Sequence, residues 1–134
     1  MPISDAYVVQ YLLQETLRHH APLTWRERES DAFSANLHGI EVDLYTLRYR
    51  SGPRIYLTLS SFPERIDVSE PINRGLFREK YDSEEDQHLA HLLRELTATV
   101  ARQCAARVNR TAEAIENVRE DIYRRLIGVE STQE

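Results

Sequence analysis

The chain has 134 residues, 29% of them charged and 41% hydrophobic, and a formal net charge of -5; this describes one globular domain and excludes a disordered chain. No apolar run approaches the roughly 20 residues of a membrane-spanning helix, and the N-terminus lacks the basic-then-apolar pattern of a secretory leader. The lone cysteine, Cys104, excludes an internal disulfide. A cytoplasmic protein that enters no membrane is the expectation.

Ser4 followed by Asp5 is a helix start. Val8, Val9, Leu12, Leu13 and Leu17 then recur at helical spacing, so a first helix is expected over 4–20, ending before Pro22. Beyond it the period changes to alternation. Phe33, Ala35 and Leu37, then Ile40, Val42 and Leu44, then Ile55, Leu57 and Leu59 form three runs, read as a three-stranded antiparallel meander over 32–61. His38-Gly39 and Ser51-Gly52-Pro53 supply its turns. Trp25 to Glu29 is a candidate extra edge strand, with Trp25 packing in the core. Pro63 and Pro71 cannot donate to a central strand, so 62–82 reads as a proline-containing loop. Within it, Ile66 to Val68 could form a short edge segment and Leu76 to Tyr81 a short helix.

From Leu76 to Ile127 there is neither glycine nor proline. Leu93, Leu96, Val100 and Cys104 continue as Val108, Ala112, Ile115, Val118, Ile122 and Leu126, a mean step of about 3.7 residues, which is one face of an α-helix. Asp82 or Ser83 caps it, and Glu84, Glu85 and Asp86 fill its first turn, where the helix dipole favours acids. One long helix is therefore expected over 83–127, about 65 Å at 1.5 Å per residue, with a polar tail at 128–134. Asn109-Arg110-Thr111 is the one site where the helix could fold back into a pair, but the stripe keeps its phase across it. The repeat over the whole stripe is nearer eleven than seven, against an ordinary left-handed coiled coil. Ala101, Cys104 and Ala105 suggest a close helix crossing, with Cys104 a small buried hydrophobe. One face of the sheet must be covered by the two helices, so the chain reads as a single two-layer α+β domain, 1–134. That leaves the far part of the long helix apolar and uncovered, a surface for a second copy or another partner.

Three constellations carry candidate chemistry. Glu84, His88, His91 and Glu95 share one helix face with metal-ligand spacing, but that face lies opposite the stripe, where charges are solvated anyway, and no metal or cofactor is assigned. Arg48, Tyr49, Arg50, Arg54 and Tyr56 form a positive, aromatic hairpin within a basic middle region: residues 48–80 hold seven basic and four acidic side chains, against three and seven in 1–47. Arg and Tyr suit protein interfaces, phosphates and stacked bases, or simple cross-strand pairing with Glu41 and Asp43. Catalytic patterns are missing: no Gly-x-Ser-x-Gly elbow surrounds Ser60 and Ser61, and the four glycines stand singly, without a phosphate loop. Asp67 and Glu70 form an unspecific carboxylate pair.

A helix placed before a three-stranded meander in an acidic chain is similar to small acidic secretion chaperones, which work as dimers. The second half departs from them in lacking further strands. The combined expectation is a non-enzymatic adaptor, chaperone-like factor or inhibitor, a homodimer or partner-docked through Val108, Ile115, Val118, Ile122 and Leu126. The hairpin and the proline loop would face a protein partner. The alternatives are a nucleic-acid-associated regulator using the hairpin and a metal-dependent enzyme using the helix-borne His/Glu face.

Overall fold

The computed structural model describes residues 2–128. Its order is α1 (Asp5–Thr16), β1 (Arg26–Glu29), β2 (Ala32–Leu37), β3 (Ile40–Tyr49), β4 (Gly52–Ser61), β5 (Glu64–Ser69) and α2 (Glu84–Leu126). The class is α+β, but the sheet has five strands where three were expected. They pair antiparallel in chain order, β1-β2-β3-β4-β5.

Both added strands are edges. β1 corresponds to the Trp25–Glu29 candidate, and it bulges between Glu27 and Glu29. β5 occupies part of the expected 62–82 loop, because the prolines bracket it rather than interrupt it. Pro63 lies in the turn before Glu64 and Pro71 follows Ser69, so the ladder from Ser61↔Glu64 to Tyr56↔Ser69 keeps every donor it needs. At the β2–β3 turn His38 and Gly39 both take left-handed angles, φ 53 and 80, the twist-matched hairpin geometry.

α1 stops at Thr16, earlier than the expected 4–20. The Thr16 hydroxyl donates to Leu12 O at 2.7 Å, and the chain then turns back so that Leu23 N–H donates to Glu15 O at 2.8 Å. His19 and His20 therefore lie outside the helix. The short helix expected at Leu76–Tyr81 does not form either. Asn73 Oδ1 accepts from Gly75 N–H and Lys80 N–H at 2.9 and 3.0 Å, and Arg74 N–H donates to Lys80 O, closing a ring. A Cβ on Gly75 would overlap the Arg78 carbonyl, so only glycine fits there.

α2 runs unbroken for 43 residues, capped by Ser83 Oγ, which accepts from Asp86 N–H at 3.1 Å. Through the proposed break it stays helical: the Thr111 hydroxyl donates back to Arg107 O at 3.0 Å within the helix. The polar tail expected at 128–134 lies, apart from Gly128, outside the described residues.

The chain divides into two compact units, Met1–Gln103 and Cys104–Glu134. In the first, one sheet face is apolar, with Phe33, Leu44, Leu57 and Val68 aligned across the strands. Val9, Leu12 and Leu13 of α1 and Leu89, Leu93, Leu96 and Val100 of α2 are buried with them, giving two layers. Trp25, fully buried, ties the layers together. Its indole N–H donates to the Thr16 hydroxyl at 3.0 Å and its backbone N–H to Gln103 Oε1 at 2.9 Å, while Gln103 Nε2 donates to Leu23 O at 2.9 Å. The described residues of the second unit are helix and turn, and every residue from Val108 to Gly128 is exposed.

Candidate interaction surfaces

The stripe read from the sequence meets two fates along one helix. Leu93, Leu96 and Val100 are 0% exposed and Cys104 5%, while Val108, Ile115, Val118 and Ile122 are between 54% and 63% exposed and Leu126 79%. No helix among the described residues is long and apolar enough to cross a membrane. The exposed half is held by its own turns: Arg124 pairs with Glu120 and Arg125 with Asp121, at 3.5 and 2.8 Å. Between the apolar positions lies a shallow depression lined by Arg107, Arg110, Thr111, Ala114, Ile115 and Val118.

The β3–β4 hairpin brings together only part of its expected set. Tyr49, Arg54 and Tyr56 share the sheet face away from the core. The Tyr49 and Tyr56 hydroxyls lie 2.8 Å apart, the Arg54 guanidinium stands 5.5 Å from the Tyr56 ring centre, and Tyr45 stacks on Tyr56 with centroids 5.5 Å apart. The hydrogen bond to Tyr56 holds the Tyr49 phenol above its ordinary pKa. Arg48 is one residue out of phase, and strand alternation sends it to the other face, where Asp31 takes it at 2.7 Å. Arg54 Nε donates to Glu70 O at 2.7 Å. Arg50 sits in the turn, with no ion pair among the described residues.

Beside this hairpin, Tyr49, the run from Ser51 to Arg54 and Glu70 to Asn73 line a small pocket of about 150 Å³, so hairpin and proline loop meet. Glu70 is its buried anchor. Its Oε1 accepts from Ile55 N–H at 3.1 Å and its Oε2 from Arg94 Nε at 2.9 Å. Arg94 also reaches Glu79 Oε1 at 2.8 Å and the Tyr81 hydroxyl at 2.7 Å, and these hydrogen bonds, that to Glu79 foremost, raise the guanidinium pKa. The same bond holds the Glu79 carboxyl below its ordinary value, helped by His91 at 3.2 Å. The Glu70–Arg94 cluster is a clamp between the loop and α2. Of the expected His/Glu face, His91 is thus drawn to Glu79. Among the described residues no three His, Cys, Asp or Glu side chains are placed to share a metal ion.

Two surfaces went unread in the sequence. The polar sheet face forms a depression of about 550 Å³ floored by Asp43, with Arg28 and Arg65 at its sides. Burial, then Glu41, raises the Asp43 pKa. On the core side, Val8 and Leu12 of α1 with Leu37, Ile40, Leu59 and Ile66 of the sheet line an apolar groove of about 310 Å³. The alternation of β3 contained the first signal, since Glu41, Asp43 and Tyr45 are the residues left over when Val42 and Leu44 go inward. The groove depends on where α1 ends, and no local pattern states that.

No family model matches this chain, and no match was found among curated proteins or solved structures.

Proposed function

We propose that the chain is a non-enzymatic protein–protein interaction module, an adaptor or chaperone-like factor that associates through the exposed α2 face of its second unit. The observation that carries this is the apolar row Val108, Ile115, Val118, Ile122 and Leu126 lying in water on a helix with no other strand or helix among the described residues of its unit. Contiguous apolar surface of this kind is costly to leave wet and marks association sites. The hairpin and proline loop offer a second contact region, built around Tyr49, Arg54 and Tyr56. Arg48 and Arg54 are already engaged by Asp31 and Glu70, which weakens the hairpin as a phosphate-binding surface and favours a protein partner over nucleic acid.

The test is site-specific photo-crosslinking in the native host, with a photoreactive side chain at Val118 or, as the opposite-face control, at Glu113. Light-dependent protein adducts at Val118 and none at Glu113 are expected. Equal reaction at both positions, or none at either, overturns the reading.

A further inference from the structure

We infer that the partner of this face is a second copy of the same segment, lying antiparallel, a step that rests on the association reading above and names its occupant. Within the exposed half alone the spacing is a short run of sevens. Val108, Ile115 and Ile122 are seven apart, and Thr111 and Val118 fall between them, the two seam positions of a paired helix. The whole-stripe average hid this, because it included the buried half and the phase slip at Leu126. Thr111 suits the seam, since its hydroxyl is satisfied by Arg107 O at 3.0 Å and its methyl remains for packing. The depression on this face has the right form as well. Arg107, Arg110, Thr111 and Ala114 make one four-residue hole and Thr111, Ala114, Ile115 and Val118 the next, the sockets that receive side chains of a facing helix.

Charge and size then choose the orientation. One flank of the seam carries Arg107, Ala114 and Asp121, and the other Ala105, Ala112 and Arg119. In a parallel pair opposite flanks meet: Arg107 would face Ala112, Asp121 would face Leu126, and Arg125 would oppose its own copy in the seam. In an antiparallel pair like flanks meet. Arg107 then comes opposite Asp121 of the second copy, twice by symmetry, joining the Asp121–Arg125 pair already formed at 2.8 Å. Val108 packs on Val118 of the second copy and Ile115 on Thr111; the seam ends there, because the position opposite Ile122 is Cys104, which is buried in its own chain. At the two-fold axis Ala112 and Ala114 each meet their own equivalents, so both flanks are narrow where the backbones come closest. No like charges are forced together in the seam.

The test uses the purified full chain. Sedimentation equilibrium is expected to show a dimer. Under mild oxidation Ala114→Cys should form an intermolecular disulfide and Ile115→Cys should not, because only the former lies within disulfide reach of its equivalent across the axis. The unsubstituted chain, with buried Cys104, is the background. Arg107→Asp or Asp121→Arg alone should weaken the dimer about three- to tenfold at low salt, and the double exchange should restore it. Cross-linking at Ile115→Cys and not at Ala114→Cys means a parallel pair and overturns the proposal, as does failure of the double exchange to restore. A monomer at every concentration also overturns it. If Val118 still photo-crosslinks to other proteins in the host, the second copy alone is wrong. If it crosslinks to nothing, the association reading falls too.

Discussion

Leu96 and Ile115 occupy the same face of one helix, yet Leu96 is fully buried and Ile115 is 63% exposed. Around Leu96 the helix is held by distant partners, with Arg94 reaching back to Glu70 and Glu79 and Gln103 to Leu23 and Trp25. Around Ile115 the ion pairs that flank it downstream, Arg124–Glu120 and Arg125–Asp121, stay within the helix. Spacing states that a face is apolar. Whether that face finds cover within its own chain depends on how much sheet is available, and the described residues of the second unit contain none.

Paired substitutions break this comparison most directly. Leu96→Ala should cost about 3 kcal/mol of folding free energy, the transfer loss plus a cavity, read as a fall in the denaturation midpoint at unchanged slope. Ile115→Ala should change the same midpoint by less than about 0.5 kcal/mol and show itself instead in the concentration dependence of molar mass. Similar folding losses at both positions would mean that the two halves of the stripe do not differ.

Next in size is Glu70→Gln. It leaves Arg94 without its buried counter-charge while keeping the shape, and about 2 kcal/mol should be lost in chemical denaturation, less than for a fully buried pair because the Arg94 side chain is 41% exposed. Acid sharpens the same contrast. Arg94 first, and then His91, hold the folded Glu79 carboxyl below its ordinary value. The unfolded chain therefore takes up its proton earlier as pH falls. The stability from this group is complete above the ordinary glutamate range and disappears as pH drops through the lower native value. Glu79→Gln should flatten that acid limb in a pH series of melts, and an unchanged limb would remove Glu79 from the clamp. The smallest effect belongs to the exposed half. Glu120→Ala should cost only about 0.3 kcal/mol, the worth of a solvated pair one turn apart, seen as slightly less helical circular dichroism and no change in the first unit's midpoint.

Local signals stated much of this fold. Ser4 and Ser83 cap where a cap was expected, His38-Gly39 turns where Gly is needed, and the continuous α2 follows from a stripe that keeps its phase across Asn109-Arg110-Thr111. Strands β2, β3 and β4 are legible in the sequence because each alternates. β5 was not, since Ile66 and Val68 give a single alternation and the flanking prolines argue for a loop until one sees that both lie outside the ladder. The early stop of α1 depends on Leu23 reaching back to Glu15, a contact without a sequence pattern. For the candidate surfaces, the helical spacing places Val108, Ile115, Val118, Ile122 and Leu126 in one row and the structure leaves that row exposed, while the two-residue period of a strand separates Arg48 from Arg54. Glu70 went unrecognised as an anchor because its partners, Ile55 and Arg94, stand 15 and 24 positions away.

Gln103 stitches Trp25 N–H and Leu23 C=O with the acceptor and the donor of a single carboxamide. No other side chain of that length offers both at once. Slow hydrolysis of that amide to an acid would leave an oxygen facing the Leu23 carbonyl, turning attraction into repulsion at the tryptophan's doorstep.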